Sequence, residues 1–431
     1  MKSGMMIISV LFMLSSCSAS ASAGSEAEAS DAINRWTKPV SVMANKKDSE
    51  YTPYNLYFWT DDYRSAPYEP EEGSYLGANI MKDRVISSDM DSFDELSDKK
   101  HALYANDMIL GDNYPYLWIL ECASKEKTPL LTVNPPNGHS PFQNDLLQKT
   151  AKDAGKLNLP VFIQFYPYKA GMGYDKKYYI NFFREAYDLF KKYAPNSIFV
   201  WGAFYGDVYD GLLCYPGDDY VDWVGINIVR RISSEEDYIY EPIKNELEYF
   251  YFSLQKRKPI MIANLSISHF STTDMLYYKN EAASEISKIY TVIAEKYPRI
   301  KAVIYNSFNE MGYDMKTGEE RNYDNFLIDD EEIIINAYRE GAGDVNYLSD
   351  LRQDVRFSKA LMLSPFPVYE RNEKYYICGK SLEYDLKIVG MSMLKSSKVI
   401  IAGSDYYSFD DIKKYIDLEY ELEYGGNIVI Y

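Results

Sequence analysis

Short apolar runs in this sequence end repeatedly in amides and tyrosines. Asn106 and Asp107 follow the run 102–105, Asn134 follows 130–133, and Tyr166, Pro167 and Tyr168 follow 161–165. Residues 202–207 follow 198–201, Asn227 follows 223–226, Asn264 follows 260–263 and Asn306 follows 302–305. An amide offers a donor and an acceptor to a hydroxyl. A tyrosine joins a flat apolar face to a polar tip. That pairing suits a ligand built of polar rings, and Tyr166, Tyr168, Trp201, Tyr205, Asn264 and Tyr305 are the expected contacts. Asp207 and Glu310 lie just past apolar runs and are the candidates for proton transfer; their plainer role is as solvated loop charges. Three histidines in the whole chain and no Cys-x-x-Cys pair point away from a metal centre, so neither metal nor cofactor is expected.

The elements that must position these residues alternate in type. Eight apolar runs (75–78, 102–105, 130–133, 161–165, 198–201, 223–226, 260–263 and 302–305) are separated by loops and helical stretches. Residues 180–193 and 280–297 show the clearest helical period. Strands apolar throughout are buried on both faces, as parallel strands are. Eight of them with intervening helices predict an α/β fold, a (β/α)8 TIM barrel that binds ligands at the carboxyl ends of its strands. An open doubly wound sheet would want a glycine-rich phosphate loop after its first strand, and none is present. After the breaker Gly341-Ala342-Gly343-Asp344 the pattern changes. Strands at 374–377, 398–402 and 427–431 and helices at 382–394 and 409–420 predict a small C-terminal α/β module.

The chain has 431 residues, 46 Lys and Arg against 64 Asp and Glu, and a net charge of −18. That balance argues against nucleic acid as a partner, because phosphate binding needs clustered cations. Lys2 and the apolar run 5–14 form a segment too short to span a bilayer but suited to export. Leu14-Ser15-Ser16-Cys17 then resembles a bacterial lipobox, with cleavage after Ala21-Ser22-Ala23 as the competing reading. The expected organisation is a signal peptide at 1–16, a flexible stalk at 17–49, a barrel at 50–340 and a linker with the module at 341–431. The protein is expected at the cell membrane or surface, held by a lipid on Cys17. Cys122, Cys214 and Cys378 are expected to be buried, unpaired thiols.

The runs 161–171, 178–184 and 196–201, and above all Tyr215-Pro216-Gly217-Asp218-Asp219-Tyr220-Val221-Asp222-Trp223-Val224-Gly225, resemble glycoside hydrolase family 26. Lys258-Pro259-Ile260-Met261-Ile262-Ala263 and residues 297–303 extend the resemblance from about 75 to about 337. The family holds β-mannanases and related endo-glycanases on a (β/α)8 barrel. The resemblance implies a catalytic acid/base Glu where Tyr168 stands and a nucleophilic Glu where Asn264 stands. Val229 and Tyr305 stand near the places of a family Tyr and Trp. Retaining glycosidases need two carboxyl groups about 5 Å apart. An amide cannot form the glycosyl ester, and a phenol with a pKa near 10 shuttles protons poorly. The expectation is a polysaccharide-binding relative, for β-mannan or β-glucan chains, with degenerate catalysis. The alternatives are an active endo-glycanase using Asp207 or Glu310, and an envelope scaffold or protein-binding module.

Overall fold

All eight apolar runs become strands of one parallel barrel, most of them longer than the apolar run alone. The computed structural model describes residues 50–136, 142–169, 175–232, 240–272, 274–313, 320–388, 398–423 and 427–431. Strand β1 (Thr52–Thr60) comes first, followed by β2 (Ser74–Asn79), helix α1 (Met90–Leu96), β3 (Leu103–Ile109) and α2 (Tyr116–Ser124). Next are β4 (Thr128–Asn134), α3 (Asn144–Ala154), β5 (Val161–Phe165), α4 (Lys176–Tyr193), β6 (Ser197–Phe204), α5 (Val208–Leu212) and β7 (Trp223–Arg230). Then come α6 (Tyr240–Leu254), β8 (Ile260–Ile267), the short β9 (Phe270–Ser271) and β10 (Leu276–Tyr277), α7 (Lys279–Lys296) and β11 (Ile300–Asn306). Strands β12 (Asn309–Tyr313) and β13 (Glu320–Asn325) and helix α8 (Glu332–Ala342) complete this part.

The barrel runs from β2 through β3–β8 to β11, and β11 closes it by pairing in parallel with β2, from Ala302 opposite Tyr75 to Asn306 opposite Asn79. Alternate residues face opposite sides of a strand. One set, including Tyr75, Leu103, Leu130, Phe162, Trp223 and Met261, packs in the lumen. The other set packs against the helices. Gln164 fills the lumen higher up: a Cβ on Gly202 would sit 2.6 Å from its Nε2, so a side chain there would displace the Gln164 amide. Helix α4 shows how the outer layer forms. Asp175 caps it by accepting from the Tyr178 N–H, and Tyr179, Phe182, Phe183, Ala186 and Phe190 form its buried stripe.

The C-terminal module departs from expectation. It is built mainly of strands: β15 (Ala360–Leu363), β16 (Val368–Arg371), β17 (Lys374–Cys378), β18 (Val399–Ile401), β19 (Ser404–Ser408), β20 (Tyr420–Glu423) and β21 (Asn427–Ile430), after a two-residue β14 (Tyr347–Leu348) on the barrel. Strand β1, expected within the barrel segment, lies in the middle of this sheet. It pairs with β15 and β16 in antiparallel fashion and with β21 in parallel. The expected helix 409–420 shortens to Phe409–Ile412, because Tyr420–Glu423 is taken up as a strand beside β21. The expected helix 382–394 shows a single turn at Ser381–Asp385, and residues 389–397 lie outside the described residues. The signal peptide, the stalk and Cys17 lie outside them too. Cys122, Cys214 and Cys378 are free and buried.

A buried polar hub joins module to barrel. Arg299, 1% exposed, contacts Glu69 at 2.7 Å and donates from Nε to the Gln255 carbonyl at 3.2 Å. Glu69 in turn accepts from the Tyr63 hydroxyl and the Ala66 N–H, each at 2.8 Å. The Gln255 side chain pairs with the Leu363 backbone of β15, donating at 2.7 Å and accepting at 3.1 Å. Removing one partner of a buried ion pair strands the other charge. Arg299→Met is therefore expected to lower unfolding stability in urea by roughly 3–5 kcal/mol. Lys387→Ala, which breaks an exposed contact to Asp62, should change it by under about 1 kcal/mol.

Candidate functional site at the barrel mouth

The lumen-facing set, continued two residues at a time, ends in polar groups. Asn79 follows Gly77, Asp107 follows Ala105, Asn134 follows Thr132 and Asn306 follows Ile304. Asn79 Nδ2 and Asn134 Nδ2 each donate to the Asp107 carboxylate at 3.4 Å, and Asp107 is exposed. A register shift in β8 sets Asn264 opposite Asn227. Asn227 donates to the Ala203 carbonyl at 3.4 Å, and Asn264 Oδ1 accepts from the Ser266 hydroxyl at 2.7 Å. The mouth is thus a ring of amides with Asp107 as the charge among them. It can exchange hydrogen bonds with several hydroxyls at once.

Other expected residues lie elsewhere, and three are corrected. Tyr166 has φ of 43° and is 1% exposed, its ring stacked on Phe165 at 4.4 Å in the helix layer. Trp201 is fully buried between Phe250 and Tyr215. Tyr305 is fully buried edge-on to Tyr338, its hydroxyl 3.3 Å from the Phe326 carbonyl. None of the three offers a ring face to a ligand: Trp201 and Tyr305 sit on the strand parity that faces the helices, and Tyr166, although two residues past the inward Gln164, lies beyond the end of β5 where its positive φ breaks the alternation. Tyr168 stays near the mouth. Its backbone bridges to β6, donating to Gly202 at 2.7 Å and accepting from Phe204 at 2.9 Å. Burial holds its phenol above the ordinary value, so it stays protonated. Tyr205 is half-buried and donates its N–H to the Asn227 carbonyl. Glu310 falls in β12, and its side chain is outside the described set.

Asp207 has company that sequence reading missed. Glu246 of α6 accepts the Gly206 N–H at 2.6 Å. Burial first, and then the Asp207 charge, push the Glu246 carboxyl above the usual range. Beside it Tyr209, 48% exposed, lies 4.1 Å from the ring of Tyr249. No local motif marks Glu246; only the fold brings α6 over the loop after β6. A second acidic pair lies at the β2–β11 corner. Asp83 Oδ2 accepts from the Ser307 hydroxyl at 2.6 Å, and Asp329 lies close enough for the two carboxyls to act on each other's titration. Two buried carboxyls in contact must share a proton. Desolvation and the Asp83 charge push Asp329 up to about 7. Among the described residues no group of three or more His, Cys, Asp or Glu is arranged to hold a metal.

No family profile matches the sequence, and no curated protein does. Solved structures with a similar chain path include a family 26 β-mannanase of Bacteroides ovatus, 13% identical, covering 64% of this chain and 90% of that one at a TM-score of 0.47. A family 26 protein of Muricauda sp. is 14% identical over 66% of this chain and 94% of its own, with a TM-score of 0.42. An endo-1,4-β-xylanase of Caldicellulosiruptor owensensis is 13% identical, covers 64% and 99%, and has a TM-score of 0.44. These are likenesses of fold.

The Asp83–Asp329 pair carries a pH signature. A carboxyl raised above its unfolded value contributes stability below that value and loses it as pH climbs through the folded one. Urea midpoints are therefore expected to fall between about pH 4 and pH 7. Asp329→Asn should flatten that slope, and an unchanged slope would place the proton elsewhere.

Proposed function

We propose that this chain is a polysaccharide-binding relative of family 26 glycoside hydrolases, exported and held at the membrane by a lipid on Cys17, with hydrolysis lost at the family positions. The observation that carries the reading is the amide ring, in which Asp107 lies between Asn79 and Asn134 and Asn264 faces Asn227. Such a ring matches the hydroxyls of a β-mannan or β-glucan chain. Among the described residues the ring's own members, Asn79, Asp107, Asn134, Asn227, Asn264 and Asn306, include a single acid, where a glycosidase pair takes two. Where the resemblance calls for an acid/base and a nucleophile, the chain has Tyr168 and Asn264. The phenol is held protonated and the amide already accepts from Ser266.

A second reading rests on Asp207 and Glu246. The backbone N–H next to Asp207 holds Glu246, and a raised carboxyl beside an anionic one is the division of labour a glycosidase uses. One set of measurements separates the two. The first reading expects retention on mannan or glucan affinity gels without release of reducing sugar. Asp107→Ala should weaken that retention about tenfold, the loss of a charge-assisted hydrogen bond. Asn264→Glu alone should give no turnover, because the acid/base partner would still be missing. Hydrolysis abolished by either Asp207→Asn or Glu246→Gln would establish the second reading instead. For anchoring, Cys17→Ala is expected to shift the protein from the membrane fraction to the soluble one.

A further inference from the structure

The floor of the barrel, opposite the amide ring, carries a feature that glycan binding does not use. A cleft of about 640 Å³ opens there between the barrel, residues 63–67 and residues 356–358. The Tyr215-to-Gly225 run, the most specific stretch of the sequence, lines it with Asp218, Asp219, Val221 and Asp222. Two of those three carboxylates are committed. Asp222 accepts from Lys191 Nζ and from the Phe199 N–H, each at 2.7 Å. Asp218 accepts from Arg257 Nε at 2.9 Å and 3.0 Å and from the Tyr215 hydroxyl at 2.7 Å. Arg356 is committed as well, to the Ser65 carbonyl at 3.0 Å and to Asp354 at 3.1 Å. That leaves Lys258, Arg64 and the exposed Asp219, two cations against one anion.

Among the described residues, neither the Lys258 ammonium nor the Arg64 guanidinium has an ion-pair or hydrogen-bond partner. Acidic residues outnumber basic ones 64 to 46 in this chain, so two uncommitted cations in one cleft need a reason. Lys258 is half-buried in the cleft wall, and a partly desolvated ammonium gains from an anionic partner. Its burial also holds the ammonium below the ordinary lysine value, with Asp218 and Asp222 acting only from a distance. The rings of Tyr187 and Phe357 line the same cleft. We propose that the floor cleft binds a small acidic ligand, its carboxylate or phosphate oxyanion held between Lys258 Nζ and the Arg64 guanidinium and its body lying against Tyr187 and Phe357. The site stands independently of the glycan reading, because it shares no residue with the mouth.

Titration of the full chain with glucuronate, inorganic phosphate and uncharged glucose, followed by NMR and calorimetry, tests this. At least one oxyanion should bind, more weakly as salt rises, and should raise the titration point of the Lys258 ammonium. Binding of glucuronate alone identifies a carboxylate site, and binding of phosphate alone a phosphate site. Arg64→Ala, at an exposed side chain where folding is not at risk, should cost about tenfold in affinity, as should Lys258→Met. If neither anion binds, if glucose perturbs the cleft as strongly, or if both variants bind as the parent does, the proposal fails.

Discussion

The ion pair between Arg299 and Glu69 is the contact on which the assembly of this protein depends. It lies beneath the last barrel strand, with the guanidinium 4.1 Å from the ring centroid of Tyr63. Through Glu69 it fixes the segment that leads from β1 into the barrel. Through the Gln255 carbonyl it fixes the helix end that grips β15. The module and the barrel thus meet at one desolvated ion pair. Such charges are expensive to bury and specific in geometry, which favours one docking of module on barrel over many.

The same barrel explains why the mouth looks as it does. Inward residues in a closed parallel sheet come in layers, and here the layers grade from large apolar groups at the floor, through Gln164, to amides at the rim. Tyrosine, so abundant in the sequence, serves chiefly the other face. Tyr104, Tyr179, Tyr290 and Tyr338 are buried among helices, and the hydroxyls of Tyr104 and Tyr179 donate to backbone carbonyls or a carboxylate. The composition that suggested a sugar platform is therefore largely a way of packing polar-tipped rings between sheet and helices.

The barrel was legible because parallel strands leave unbroken apolar runs, and each of the eight runs marked a real strand. The amides were legible because they ended those runs. What misled was phase. Trp201 follows the inward Val200, so alternation sends it outward, and reading the residue after a run without counting parity cannot see this. Tyr305 fails for the same reason beside Ile304. Tyr166 has the inward parity, but its positive φ just past β5 turns it into the helix layer, which no count of alternation reveals. Glu246, Asp83 and Asp329 were invisible for another reason: each acquires its shifted acidity first from burial, which only the folded chain creates. The helix expected at 409–420 was over-read: it stops at Ile412, and the sheet claims the stretch from Tyr420.

The place of β1 sets an order of events during synthesis. Asn55 of β1 donates to Asn427 of β21 at 3.2 Å, across 372 residues of chain. At a ribosomal pace of about 5–20 residues per second, that partner is made roughly 20–75 s later. The first of the described strands to emerge is thus the last to be enclosed. For that interval its backbone edge stays open to any other strand it meets, including the β1 of a neighbouring nascent copy.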